Sequence, residues 1–488
     1  MKPCFFFICF VASISSSSSQ TTGISPFAQY GMYDTDSIKP EEYRQRRAAV
    51  MARMDSGAVA IFRANALARR NSDTDYKFRQ SDNFLYLTGC EEPNSTLILV
   101  PEGVEIDSVA KAAEILVVPP RTKSWSGDNL GTEGAKEIFG FGASGTPSIA
   151  LATGKLKEFL ARVLPTKKIL YYTPSLPDIL FDPVSERKFV TALEVKKGIT
   201  EKYPDLTVKG SGTLVNDLRL VKSSAELSLM QHAIDATVAA QIEAAKSCEP
   251  GMYEYELQAV IEYCFTRAGC EFYGFPSIVG SGPNALSFHY EANRRQMWKG
   301  DLVVMDIGAE YHGYSADVTR TLPVNGTFST EQKQIYDIVL NAQDSAFAEI
   351  RPGALMSAGG KRAMEVLGNG LVRLGIIKEK SEAKKYCPHG ISHSLGLDTH
   401  DVGSRGTLVP GVVFTVEPGI YIPDSSSCDR RYWGIGIRIE DDVLVTEEGY
   451  RVLSAAAPRA TQELEMLMRQ KGIGNMVIGK REEPSGRK

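Results

Sequence analysis

The spacing of apolar residues divides the chain into two stretches of different character. In the first, short apolar runs at Ala58–Phe62, Leu97–Pro101, Ile115–Pro119 and Ile169–Tyr172 read as strands. Helix-favouring segments lie among them: the charged stretch from Pro40 to Met54, then 135–139 and 154–163. Strands alternating with helices predict an α/β layer domain. In the second stretch, helical periodicity over 225–246, 253–268, 330–350 and 358–374 is interleaved with paired strands, 302–308 with 315–322 and 412–417 with 435–445. That mixture predicts an α+β domain in which helices cover an antiparallel sheet. The long helix that opens it is closed by Cys248-Glu-Pro-Gly251, and the boundary between the halves is placed near Ser223. The expected domains are therefore 23–222 and 223–470. No internal repeat of solenoid period is present.

Length and charge narrow the picture. The 488 residues exceed what one core spans, about 250–300. With 43% hydrophobic and 23% charged residues the composition is that of a soluble globular protein. A formal net charge of −4 excludes a general affinity for nucleic acid or an anionic membrane, which needs a basic surface. The one basic cluster, Lys480, Arg481, Arg487 and Lys488, falls in the expected tail 471–488 and reads as a solvated terminus.

The amino terminus has a different pattern. Lys2 precedes an apolar run from Cys4 to Ala12, followed by the serines 15–19. A charged start, an apolar stretch of about 7–15 residues and then small residues form a secretory signal pattern, although no clear Ala-x-Ala cleavage site follows. The run is shorter than the roughly 20 residues a membrane span needs. No arginine occurs before Arg44, which argues against a mitochondrial presequence. The expectation is a leader over 1–22, export to the periplasm or exterior, and no stable membrane anchor after its removal; a leader that does not work as a signal would leave the chain cytoplasmic. Eight cysteines are present. The six outside the leader form no tight pair and are expected to be mostly buried thiols.

Candidate chemistry concentrates in the second half. Asp301-Leu-Val-Val-Met-Asp-Ile-Gly308 and Ser315-Ala-Asp-Val-Thr-Arg-Thr-Leu322 flank a turn read as centred between Tyr311 and His312. On that centre Asp306 and Asp317 are direct cross-strand partners, with Cβ atoms about 4.5–5.5 Å apart, where like charges destabilise a sheet. A divalent cation between them removes the objection, because hard cations take carboxylate oxygens. Two solvated carboxylates in a misregistered hairpin is the competing reading, and the hairpin alone does not choose.

Three of the six histidines lie in Pro388-His-Gly-Ile-Ser-His-Ser-Leu-Gly-Leu-Asp-Thr-His400. Gly390 and Gly396 argue against a simple helix there. Three imidazoles so close together, beside small residues, point to ligands or proton carriers. In Val412-Val-Phe-Thr-Val-Glu-Pro418, alternation puts Thr415 and Glu417 on one face. In Gly434-Ile-Gly-Ile-Arg-Ile-Glu440, three isoleucines take one face and Arg438 with Glu440 the other. By itself that polar face reads as an exposed strand; a buried one would need partners.

With these residues in view, the chain from about 224 to 468 resembles the pita-bread metallopeptidases, most closely aminopeptidase P. The first half matches too: Phe78-Arg-Gln-Ser-Asp-Asn-Phe-Leu-Tyr-Leu-Thr-Gly89 is similar to the creatinase-type amino-terminal domain of these enzymes. The resemblance implies an α/β creatinase-like domain followed by an α+β pita-bread catalytic domain. It implies two divalent metal ions, with manganese the expected metal and zinc, cobalt or iron the alternatives. Asp306 would bind one ion, Asp317 and Glu440 would bridge both, and His393 and Glu417 would complete the second site. It further implies that His289 and His400 act at the scissile bond, Glu417 carries a proton, Arg438 stands beside the bridging glutamate and His389 shapes the site. Trp125 aligns with a tryptophan that reaches a neighbouring subunit's active site in relatives; plain packing is the other reading. The implied substrates are peptides with proline at the second position, and the implied assembly is a homodimer or homotetramer.

Three rivals stay open at this point. Prolidase shares all five ligands but cleaves dipeptides; Ser392 in the histidine motif and the compact link from Glu417 to Glu440 favour the aminopeptidase. Creatinase-type enzymes and a pita-bread module used only for binding both work without metal, and the full ligand set speaks against them.

Overall fold

The structure is a computed structural model that describes residues 37–106, 110–122, 129–142, 147–174, 192–403 and 406–476. The leader, Trp125 and the basic cluster of Lys480, Arg481, Arg487 and Lys488 lie outside them, whereas 471–476 of the expected tail are described and bond to helix residues Glu243 and Ser247. All belong to one unit spanning Asp36–Lys488.

The first helix, Pro40–Met51, has proline in its first turn, where the missing N–H costs nothing, and Glu41 and Glu42 at its positive end. It lies beside a six-stranded sheet in the order Ser148–Ala152, Ala110–Val118, Thr96–Ile106, Ala58–Arg63, Ile169–Tyr172, Thr207–Lys209. The central pairs are antiparallel and the outer ones parallel. The four strands expected from the apolar runs are all present. Ala58–Arg63 is apolar almost throughout because both its faces are covered. Ala58, Ala60 and Phe62 join the main core that continues into the second half. Val59 and Ile61 join a smaller core with Phe159, Leu160 and Ile199 from the outer helices.

The second half opens with helix Ser224–Ser247, whose start is fixed by a capping box. The Ser223 hydroxyl accepts from the Glu226 N–H, and the Glu226 carboxylate accepts from the Ser223 N–H. Helices Glu254–Arg267, Thr330–Phe347 and Ser357–Arg373 follow close to their expected places. They cover antiparallel ribbons. In the first, Leu302–Ile307 pairs with Val318–Pro323 and Ala309–Tyr311 with Tyr314–Ser315. Its two-residue turn is His312-Gly313, both at positive φ, the twist-matched geometry for a tight hairpin. The turn is thus centred one residue later than the sequence reading placed it, and this corrects the register: Asp306 faces Thr319, not Asp317. A slip of two keeps side-chain parity, so the two aspartates still share a face.

The second ribbon pairs Val413–Val416 with Asp441–Val445, and Gly419–Ile422 with Ile435–Arg438. One register runs through both pieces. The ladder breaks between them, at Glu417-Pro418 and Ile439-Glu440. Proline cannot donate to a ladder, which accounts for one side of the break. The histidine segment forms no helix; it runs beside this ribbon through bonds from Leu395 N to Val413 O, Thr415 N to His393 O, and Glu417 N to Ile391 O.

Basic residues from before Ser223 grip that segment. Arg79 donates to the Leu397 carbonyl and to Glu310, both at 2.6 Å. Arg219 bonds Asn83 at 2.9 Å, Asp398 at 2.7 Å and Asp401 at 2.5 Å, and Lys222 meets Asp401 at 3.0 Å. The six described cysteines are free thiols, four of them buried. Among the described residues no helix is long and apolar enough to cross a membrane.

Candidate metal centre

The two ribbons bring five groups with metal-ligand chemistry to one place. Asp306 comes from the strand Leu302–Ile307, and Asp317 precedes Val318–Pro323. Glu417 and Glu440 sit at the break of the second ribbon, and His393 comes from the segment beside it. His393 Nε2 lies 3.4 Å from Asp317 Oδ2, 3.5 Å from Glu417 Oε1 and 4.0 Å from Glu440 Oε1. Its Nδ1 is 3.1 Å from the Ser394 carbonyl. A carbonyl only accepts, so Nδ1 is the donor there and Nε2 is the nitrogen that faces the carboxylates. Asp317, His393 and Glu440 each offer a ligand atom, all within 4.8 Å of one another.

Side-chain bonds tie the ribbons together around these groups. The Thr319 hydroxyl donates to Glu440 Oε2 at 2.6 Å and accepts from Arg438 Nε at 3.2 Å. Arg438 reaches Asp306 Oδ2 at 2.5 Å and the Tyr421 hydroxyl at 2.9 Å, while its backbone N–H bonds the Thr321 hydroxyl at 3.1 Å. Arg438 and Glu440 are 3% and 2% exposed, which corrects the reading of that strand face, taken alone, as solvated.

The electrostatics point to a cation. Four carboxylates share the site with one arginine. Asp306 Oδ1, Asp317 Oδ1 and the neighbouring Asp442 Oδ1 are buried without a hydrogen-bond partner among the described residues. Such atoms are costly unless something satisfies them. Burial, then the adjacent carboxylates, hold Asp317 and Glu440 well above the usual carboxylate range. Burial also pushes Glu417 up to about 7, against the pull of His393 and Arg438. Divalent ions would supply the missing partners and reverse the sense of these shifts. The donor set, carboxylates with one imidazole, fits such ions.

The other candidate histidines are His389, His400 and His289. Burial pushes His389 down to about 4; its Nε2 lies 3.0 Å from the Tyr421 hydroxyl. Phe288, His389 and Tyr421 meet edge to face, with ring centroids 4.6–5.5 Å apart, and form an aromatic wall. His400 is exposed, its ring centroid 4.1 Å from that of His393. His289 is exposed on the turn after Phe288.

Four residues of the site are absent from the sequence reading: Thr319, Thr321, Tyr421 and Asp442. The alternation Asp317, Thr319, Thr321 is a period-2 signal for the threonines, and the acidic run Glu440-Asp441-Asp442 is one for Asp442. Tyr421 gives no such signal.

Known proteins share this architecture and much of this sequence. Residues 228–447 match Metallopeptidase family M24, and residues 43–171 match Aminopeptidase P, N-terminal domain. An Xaa-Pro aminopeptidase of Escherichia coli (strain K12) is 34% identical over 449 residues, covering 88% of this chain and 98% of that protein. One from Haemophilus influenzae is 36% identical, with the same coverage of both chains. The mitochondrial intermediate cleaving peptidase 55 of Arabidopsis thaliana is 32% identical and is covered over 84% of its length. Among solved structures, an aminopeptidase from Pseudomonas aeruginosa superposes with a TM-score of 0.78 at 34% identity, covering 88% of this chain and 98% of that one. Aminopeptidase P from Escherichia coli with the inhibitor Pro-Leu superposes equally well at 33% identity and the same coverage.

Proposed function

The chain belongs to metallopeptidase family M24, and from that membership and its own site we propose that it hydrolyses the bond between an amino-terminal residue and a following proline. The observation that carries the proposal is the convergence of Asp306, Asp317, His393, Glu417 and Glu440, with buried carboxylate oxygens left unpaired.

Asp306, Asp317, His393, Glu417 and Glu440 would together hold two divalent ions. Manganese is the expected metal for so carboxylate-rich a set. Bound there, the ions would lower the pKa of a water, so that hydroxide is available near neutral pH, and would polarise the substrate carbonyl.

The remaining work falls to side chains of this chain. Glu417 takes the proton of the attacking water and passes it to the departing proline nitrogen. Its carboxyl is the one beside His393 whose other oxygen lies 3.6 Å from His389 Nδ1. His289 and His400, both exposed, donate to the oxygen that gains charge as the carbonyl becomes tetrahedral. Arg438 fixes Asp306 and touches no substrate in this scheme.

Chain length separates an aminopeptidase from a dipeptidase. A dipeptidase must hold the substrate's terminal carboxylate, normally with a fixed cation. Arg430 and Arg431 lie in the link between the carboxylate strands, but each stacks on a ring of that link, Trp433 or Tyr432, 5.1 and 5.0 Å from the centroids. The test is product mapping on Xaa-Pro-Xaa, Xaa-Pro and proline-free peptides, after chelation and with manganese restored. Release of the first residue only before proline, and only with metal, is expected. Metal-independent cleavage, or equal cleavage of proline-free peptides, would overturn the proposal.

A further inference from the structure

Glu254 heads the helix Glu254–Arg267 and is wholly buried. Its Oε1 accepts from the Ser281 N–H and the Ser281 hydroxyl, both at 2.7 Å, and from the Asn284 amide at 3.1 Å. Its Oε2 accepts from the Tyr290 hydroxyl at 2.9 Å and the Arg295 N–H at 2.8 Å. A carboxylate offers about four lone-pair directions, so this one is saturated. Its donors are spread along a single loop: Ser281 at the start, Arg295 at the end, Asn284 and Tyr290 between. Arg295 closes the same ends through the Ser281 hydroxyl at 2.9 Å and Asp301 at 2.6 Å.

The middle of that loop is Phe288-His289-Tyr290. Phe288 is held from the metal side: its carbonyl accepts from Arg438 at 3.5 Å and its ring packs on Tyr421. Tyr290 is held from the other side by Glu254. His289 therefore stands between two pinned neighbours, with its own ring exposed. An exposed imidazole takes its position from its backbone, and transition-state contacts tolerate little misplacement.

We propose that Glu254 is a positioning residue for His289, setting the loop that presents this imidazole without touching substrate. The inference rests on the reading of His289 as a transition-state donor. The bland alternative is a carboxylate that only stabilises the fold.

The experiment is a double-mutant cycle on the metal-loaded enzyme, with kcat, KM and bound metal measured on one Xaa-Pro-Xaa peptide. Glu254→Gln should lower kcat by about tenfold to a hundredfold, with KM and metal content held. Tyr290→Phe removes the bond to Glu254 and the weaker one accepted from the Arg294 N–H, and should lower kcat by about fivefold. In a His289→Ala background either substitution should cost less than about twofold more, because the group they position is gone. Equal losses in both backgrounds would overturn the inference and leave the reading of His289 intact. A His289→Ala variant with unchanged kcat would overturn that reading, and the inference with it. Should Glu254→Gln fail to fold, Tyr290→Phe decides by the same cycle.

Discussion

Glu417 and Glu440 face each other directly across the second ribbon. The register that pairs Val416 with Asp441 and Gly419 with Arg438 places them opposite, at one of the two steps between those pairs where the ladder is interrupted. Like charges in that relation destabilise a sheet, and both carboxyls are held above their usual range. The hairpin keeps this pair at its own expense, as a cation site would.

Glu440→Gln keeps the shape but removes the charge, and it leaves the Thr319 hydroxyl a carbonyl or amide to face. The variant should fold, lose at least one metal ion and lose nearly all turnover. Metal analysis of the purified protein beside a peptide assay checks this, and two ions per chain with full activity would remove Glu440 from the site.

The metal-free protein should lose stability as pH rises. Asp317, Glu417, Glu440 and Asp442 are all raised in the folded state by burial, so the folded chain binds more protons than the unfolded one. Unfolding free energy then falls with increasing pH, starting near the unfolded carboxylate pKa of about 4. The Glu417 share is lost by about 7, and the others continue above it. Denaturant midpoints in chelator at pH 5.5 and 8 (roughly the two sides of this window) should show the lower value at pH 8, and saturating manganese should remove the difference. A midpoint that rises with pH in chelator would contradict the argument.

Arg438→Met should damage the metal-free protein more than an average core change. It strips Asp306 of the one cation paired with it among the described residues, and Tyr421 of a donor. Breaking one side of a buried pair costs about 3–5 kcal/mol. Bound metal should recover part of the loss by pairing Asp306 instead. Equal destabilisation with and without metal would show that Asp306 is not a ligand.

Tripeptides should be better substrates than the matching dipeptides. Contacts beyond the proline add binding energy that can be used in the transition state. At fixed manganese, kcat/KM for Xaa-Pro-Xaa should exceed that for Xaa-Pro. Dipeptides cleaved while tripeptides are refused would make the enzyme a prolidase.

Much of this site is legible in the residues themselves, and what is not has a physical reason. Helix starts at Ser223 and Ser329 are written in local capping chemistry, so short-range reading finds them. The first hairpin is misplaced by one residue because its turn puts His312, a non-glycine residue, at positive φ, and no residue type announces that. The ligands survive the error because a two-residue slip preserves faces. The Thr319 and Thr321 bonds to Arg438 join strands from different ribbons, and such contacts have no signature along the chain. The burial of Arg438 and Glu440 belongs to the same class: alternation gives the face, and the first ribbon, through Asp306 and Thr319, covers it.

The grip of Arg79, Arg219 and Lys222 on the histidine segment has a consequence for how the enzyme can be taken apart. Asp401 is almost wholly buried, and its two cations come from positions 219 and 222. A polypeptide started at Ser223 would leave that carboxylate without either cation and release the Leu397 carbonyl that Arg79 holds, three residues from His400. Such a truncation should be insoluble or inert, however complete its ligand set. The catalytic half should therefore not work as a cassette moved onto another scaffold; activity in a purified chain that starts at Ser223 would contradict this.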